Sequence, residues 1–265
     1  NKIYEHIHYL PHGNEFYQTF ELSEIDDSYV PGPDELEENF AKAKTSINRY
    51  KYNEALSIID WLLKKETIGP SIDTNELLIT KMHILAYKDS LDESAYLLDV
   101  ILKKIAGQEN IYTELEASID AYRNDDMKEA ISCGILMKEC IESIFKTQPF
   151  CKYIYYSYIA DILFFSRNFE ASLEYRKMAI DMLKSMDFGI EACYAYSYIK
   201  HALACYYIKI SDGFHTYDHV DELNYAIEAD QIIRHRNLEG SIIGQLYIMM
   251  AEIYCYEHKD LESAL

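Results

Sequence analysis

Phe169-Glu-Ala-Ser172-Leu173 opens a stretch in which Leu173, Met178, Ile180 and Met182 follow at intervals that suit one face of an α-helix. The same phrase, an apolar residue, two mostly polar residues, a small residue and then an apolar helix, occurs elsewhere. It reads Tyr52-Asn-Glu-Ala55-Leu56, Leu91-Asp-Glu-Ser94-Ala95 and Met127-Lys-Glu-Ala130-Ile131 before it, and Leu223-Asn-Tyr-Ala226-Ile227 and Leu261-Glu-Ser-Ala264-Leu265 after it. Successive phrases start 39, 36, 42, 54 and 38 residues apart. Ile58, Ile59, Leu62 and Leu63 follow the first, and Leu97, Leu98, Ile101 and Leu102 the second, each an apolar stripe at 3.6 residues per turn. Steps of this size match one helix pair per unit.

A second small residue is expected in the preceding helix, where the two helices of a pair cross. Ala43, Ser118 and Ala160 stand there, and the second unit has Met82. Ala204 fits if residues 212–221 form an inserted loop, which also accounts for the long step, and Ala251 fits with one extra residue. The pattern predicts paired helices at 34–49 and 53–66, 74–88 and 92–106, 110–123 and 127–146, 150–166 and 169–186, and 189–210 and 220–236. A last unit starts near 239. Pro33 favours a helix start, residues 67–73 form a breaker, and Asp73 or Thr74 caps the helix after it. Residues 1–33 do not fit the pattern, so the chain divides into a non-repeat segment (1–33) and a repeat domain (34–265). It opens on Asn1 and stops at the end of the sixth phrase, at the start of a helix, which leads us to expect a repeat domain truncated at its C-terminal end.

Composition supports this reading. Nine Gly and five Pro among 265 residues are few for a fold of many strands and turns. Tyr is abundant, at 25 residues, and suits thin layered folds in which the ring packs and the hydroxyl reaches water. A formal net charge of −20 argues against direct nucleic-acid binding and against an acidic membrane surface, and favours a basic or neutral peptide or protein. The six cysteines form no C-x-x-C pair and lie in apolar helical stretches, as reduced core thiols of a cytoplasmic protein would. No apolar run is long enough for a membrane span.

Tyr156, Ile159, Ala160, Leu163, Phe169, Ser172, Ala179 and Ile180 resemble the tetratricopeptide pattern of large, small and closing Ala-Leu positions. The resemblance covers about residues 36–265, with Ala, Ser or Met at the Gly positions and without the helix-breaking Pro. It implies an all-α fold, a right-handed α–α superhelix (solenoid) of degenerate helix pairs. It also implies a concave wall lined by the first helix of each pair, exposing its second, fifth, ninth and twelfth residues. Those residues are Leu115, Ile119 and Tyr122 in the third unit, and Ile154, Ser157, Asp161 and Phe164 in the fourth. They are Tyr198, His201, Cys205 and Ile208 in the fifth, and Gln245, Ile248 and Glu252 in the sixth. Of these, Tyr122, Ser157, Asp161, Phe164, Tyr198, His201, Gln245 and Glu252 are the candidate peptide-binding residues, with Asp161 and Glu252 meeting a basic group. Reversing those two charges is expected to abolish binding with little effect on folding. Long units, acidity and richness in Lys, Ile, Tyr and Asn are similar to the receptor modules of intracellular peptide-sensing regulators of low-GC Gram-positive bacteria. A DNA-binding domain, if the chain belongs to such a regulator, would lie upstream of Asn1.

Other chemistry finds less support. His6, His8 and His12 have a spacing that metal ligands can adopt, but no cysteine or second cluster completes a site, so no metal and no cofactor are expected. None of the phosphate-binding, nucleophile-elbow or zinc-protease motifs occurs, and the chain is not read as an enzyme. Arg234-His235-Arg236 is the densest basic spot and sits where a helix end favours cations. The alternatives to a peptide receptor are a structural scaffold for protein assembly and an accessory module of a larger enzyme. An unfinished repeat end would expose an apolar face and so allow homo-oligomers.

Overall fold

The computed structural model describes residues 32–64, 72–107, 112–186, 190–213, 219–236, 238 and 240–255. The described residues form twelve helices. They are α1 (Pro33–Asn48), α2 (Tyr52–Lys64), α3 (Thr74–Tyr87), α4 (Leu91–Ala106), α5 (Glu114–Arg123) and α6 (Met127–Leu136), then α7 (Lys138–Ile144), α8 (Pro149–Phe165), α9 (Phe169–Lys184), α10 (Glu191–Gly213), α11 (Val220–Arg236) and α12 (Ser241–Ile253). The chain is all-α, with contacts mostly between sequential helices: α1 with α2, α3 with α4, α5 with α6, α8 with α9 and α10 with α11.

One turn recurs between the helices of four pairs. Tyr50, Asp89, Asp125 and Arg167, each two residues ahead of the phrase, have φ of 60°, 60°, 62° and 63°. The next residue's N–H reaches back five residues, from Lys51 to Ser46, Ser90 to Leu85, Asp126 to Ala121 and Asn168 to Leu163, each at 2.9 Å. This closing bond satisfies a carbonyl that the helix end leaves free, and it requires a left-handed residue at the turn. A Cβ in that conformation costs about 1–2 kcal/mol. Replacing the exposed Arg167 by Gly should therefore raise the unfolding free energy by up to ~1 kcal/mol, and replacing it by Val should lower it by about 1 kcal/mol or more. Urea unfolding checks both signs.

The small residues lie at the helix crossings. Ala43 and Ala55, Met82 and Ser94, Ser118 and Ala130, and Ala160 and Ser172 are all fully or almost fully buried, as are Ala204 and Ala226. Where one partner is serine, its hydroxyl bridges the pair. Ser94 Oγ donates to Met82 O (3.3 Å), Ser118 Oγ to Ala130 O (2.6 Å) and Ser172 Oγ to Ala160 O (2.7 Å). The backbones thus approach closely enough for a short hydroxyl to span them. Ala251 is only half-buried on α12.

Helix ends follow local chemistry. Asp73 accepts from Asn75 N at the start of α3, and Asp126 from Glu129 N at the start of α6. The helix expected from residue 110 begins at Glu114, because Thr113 caps it by accepting from Glu116 N and also donates to the buried Asp99 carboxylate. The single helix expected over 127–146 is broken at Met137. There the Tyr155 hydroxyl of α8 donates to Gly134 O at 2.9 Å, and the Met137 N–H falls back on the same carbonyl three residues away. Gly134 permits this approach, since a Cβ there would stand 2.6 Å from Ile159 Cδ1 and 2.8 Å from Ser118 Oγ. The insertion expected at 212–221 is shorter, because α10 continues to Gly213 and α11 starts at Val220. His6, His8, His12 and the last phrase, Leu261–Leu265, lie outside the described residues.

The core falls into a small cluster between the first pair and α3, around Leu36, Phe40, Ile59, Leu62 and Leu77, and a large one over the rest. At the centre of the large cluster, α8 is buried on nearly every side, from Phe150 to Phe164. A helix apolar all round belongs inside a core, not along an open wall. Its surroundings explain this, because α4 packs on α8 past the intervening α5–α7, and α3 touches α10. The Arg236 guanidinium at the end of α11 lies 4.6 Å over the Tyr50 ring and pairs with Glu191 at 2.9 Å. Early and late helices therefore meet. No described helix is long and apolar enough to cross a membrane.

Candidate functional site

Four charged side chains converge where α8, α9 and α10 meet the α3–α4 turn. Asp161 projects from α8, Arg176 from α9, Lys200 from α10 and Asp89 from the turn. Lys200 Nζ stands 2.7 Å from Asp161 Oδ2 and 2.7 Å from Asp89 Oδ1, and the Arg176 guanidinium donates to Asp161 Oδ1. Asp161, Arg176 and Lys200 are only 7%, 2% and 5% exposed. The helical members reach the cluster by register. Arg176 lies one turn from Ser172 and one from Ala179 and Ile180, on the buried face of α9. Lys200 lies between the buried Tyr196 and Ala204 on α10.

The two carboxylates are not equivalent. Burial opposes ionisation of Asp161, but Lys200 and Arg176 outweigh it and hold that carboxyl below the usual range. Asp89 is pushed up, chiefly by burial and further by the charge of Asp161, with Lys200 as its one close cation. Around this cluster, two buried polar atoms, Ser157 Oγ and Arg176 Nε, have no hydrogen-bond partner. Ser157 is one turn from Asp161 on the same face of α8.

The candidate residues divide between this interior and other surfaces. The structure buries Ser157, Asp161, Phe164 and His201, and also Leu115, Ile119 and Ile154, where an open wall was expected. α4 packs on α8, and the charge cluster encloses Asp161. Phe164 packs on Phe169 and Tyr207, and the half-buried Tyr122 on Tyr158 and Phe165. Tyr198 and His201 face α11, where both rings meet Tyr225, at 5.3 and 4.3 Å. Tyr198 also lines a cleft of about 330 Å³ with Ile180, Lys184, Asp221, Asn224, Tyr225 and Glu228, between α9, α10 and α11. Burial, with the charges of Arg176 and Lys177, pushes His201 down to about 4, so it is neutral at pH 7. On α12, Gln245 and Glu252 are half-buried and Ile248 is exposed, and Glu252 accepts from the Tyr206 hydroxyl. Asp161 and Glu252 are therefore both engaged within the chain. Reversing Asp161 would place a cation against Arg176 and Lys200, so it cannot be neutral to folding.

Cysteine chemistry finds no activated thiol at four of the six positions: burial pushes Cys151 and Cys193 up to about 12, and Cys133 and Cys205 up to about 11. Among the described residues no group of three or more His, Cys, Asp or Glu side chains could hold a metal ion. Sequence reading missed Arg176, Lys200 and Asp89. The first two were detectable as charges at buried helical register, whereas nothing local marks Asp89 as their partner. No family model, curated protein or solved structure matches the chain.

Proposed function

We propose that this chain is a peptide- or protein-binding module of degenerate tetratricopeptide-like helix pairs, curled into a tight superhelix, with its ligand held where the first helices α8 and α10 converge. The observation that carries this reading is a pair of buried polar atoms without partners, Ser157 Oγ and Arg176 Nε, beside a charge cluster. An unmet buried donor costs about 1–3 kcal/mol, and a ligand that satisfies it recovers that cost. The recurring turns and serine-bridged crossings support the helix-pair part of the reading. In its most specific form, the module is the ligand-sensing domain of a cytoplasmic bacterial transcriptional regulator.

Selection from a displayed library of random heptapeptides tests it. Retained peptides should raise the melting temperature, and Ser157→Ala should weaken them about tenfold, the loss of roughly one polar contact. Peptides that bind Ser157→Ala and wild type equally, or a selection that retains none, would sink the reading. A scaffold for assembly is the second reading. Ile135, Leu136 and Ile144, large apolar side chains exposed on α6 and α7, favour it. Binding would then survive Ser157→Ala and fail on Leu136→Asp.

A further inference from the structure

The charge cluster balances only because the chain supplies one of its carboxylates from a distance. Arg176 and Lys200 bring two positive charges to the junction of α8, α9 and α10, and Asp161 brings one negative charge. The second negative charge comes from Asp89, 111 residues before Lys200. Without Asp89, Lys200, now 5% exposed, would stand beside a guanidinium with one carboxylate shared between them. Buried cations are tolerated only when compensated, so such a site demands an anion.

Asp89 is the weakest member of the set. Asp161 is gripped by two cations, Asp89 by one, and the like charge of Asp161 stands beside it. Its side chain is 20% exposed, against 11% for that of Asp161, and so lies nearer the surface. Its backbone occupies the left-handed region at φ 60°. Beside Asp161, Arg176 Nε and Ser157 Oγ retain unused hydrogen-bonding capacity that an incoming acceptor could take up.

We propose that Lys200 and Arg176 form a carboxylate-binding site, that Asp89 fills it in the free protein as an internal competitor, and that a ligand carboxylate displaces Asp89 from Lys200. This deepens the reading of the converging first helices as the ligand site, and it names the ligand's chemistry there as a carboxylate-bearing peptide segment. Displacement cuts the ionic tie between the α3–α4 turn and α10, so occupancy of the site is coupled to how firmly the early helices are held against the late ones.

Asp89→Gly tests the idea, because Gly removes the carboxylate and suits the left-handed turn, so the variant should fold. Its urea midpoint is measured against sodium acetate, with sodium chloride at equal ionic strength as control. Acetate should raise the midpoint with the logarithmic form of one-site binding and chloride should not. In Asp89→Gly/Lys200→Met the acetate response should vanish. In the wild type, acetate should speed amide exchange at residues 86–90 as Asp89 is displaced. A chloride response equal to that of acetate, an acetate response that persists without Lys200, or no response in Asp89→Gly overturns the proposal. None of these depends on finding a peptide, so the site can fail while the binding-module reading stands, or the reverse.

Discussion

Asp161→Ala should lower the unfolding free energy by roughly 3–5 kcal/mol, the cost of leaving buried charges uncompensated. The loss is large because two cations depend on this carboxylate. Arg176 would lose its ionic partner at 2% exposure, and Lys200 would retain only the weaker Asp89. The triple variant Asp161→Leu/Arg176→Met/Lys200→Met should recover most of that stability, since apolar groups of similar size avoid the desolvation that an ion pair must offset. Urea unfolding of the two proteins separates the penalty of breaking the cluster from the cluster's net worth. A loss under about 1 kcal/mol in Asp161→Ala would mean that water reaches these groups freely.

Acid should weaken the fold at pH values above the ordinary carboxylate range. Burial pushes His83 down to about 4, and burial with the charges of Arg176 and Lys177 pushes His201 to about the same value. Both are neutral in the folded state, while an unfolded histidine titrates near 6.5. Stability from this source is complete above pH 6.5 and is lost as pH falls from there to about 4, by roughly 3 kcal/mol per histidine at the limit. Asp161, held low, adds to the loss only below the ordinary carboxylate range, whereas Asp89, raised, titrates above that range and opposes the histidine loss within the same window. His83→Phe/His201→Phe should flatten the urea midpoint across that window. Phe suits both sites, because His83 already packs against Phe150 with ring centroids 3.8 Å apart and His201 Nδ1 has no hydrogen-bond partner. An unchanged slope in the double variant would place the acid sensitivity elsewhere.

What the sequence made legible was local. Ser94, Ser118 and Ser172 marked the crossings because a small side chain at fixed register has one steric meaning, and the structure adds the hydroxyl bridges. The turns were visible by position, but their left-handed backbone was not, since Tyr50, Asp89, Asp125 and Arg167 stand where glycine would have signalled it. The break at Met137 depends on Tyr155, a hydroxyl from a later helix, and so had no local signature. The exposure expected of the candidate residues had no local basis either. A template register that exposes the fifth and ninth residues of a first helix assumes an open wall, and here Ser157 and Asp161 lie on a helix buried on nearly every side. Arg176 could have been read as an interior charge from its place between Ser172 and Ala179, but its neighbours Lys200 and Asp89 are chosen by three-dimensional closure.

That closure also sets an order of assembly. The serine bridges join residues 12 apart, whereas Lys200 and Asp89 are 111 apart. Bringing the distant pair together in an otherwise flexible chain costs about 2 kcal/mol more in loop entropy than bringing a near pair together. Helix hairpins should therefore form early and independently, and the ionic tie late, once the intervening pairs have stacked and shortened the effective loop. The tie is then a clock for the last folding step: it forms only when the pairs between it are in register, and mutations there should change the rate of unfolding more than that of folding.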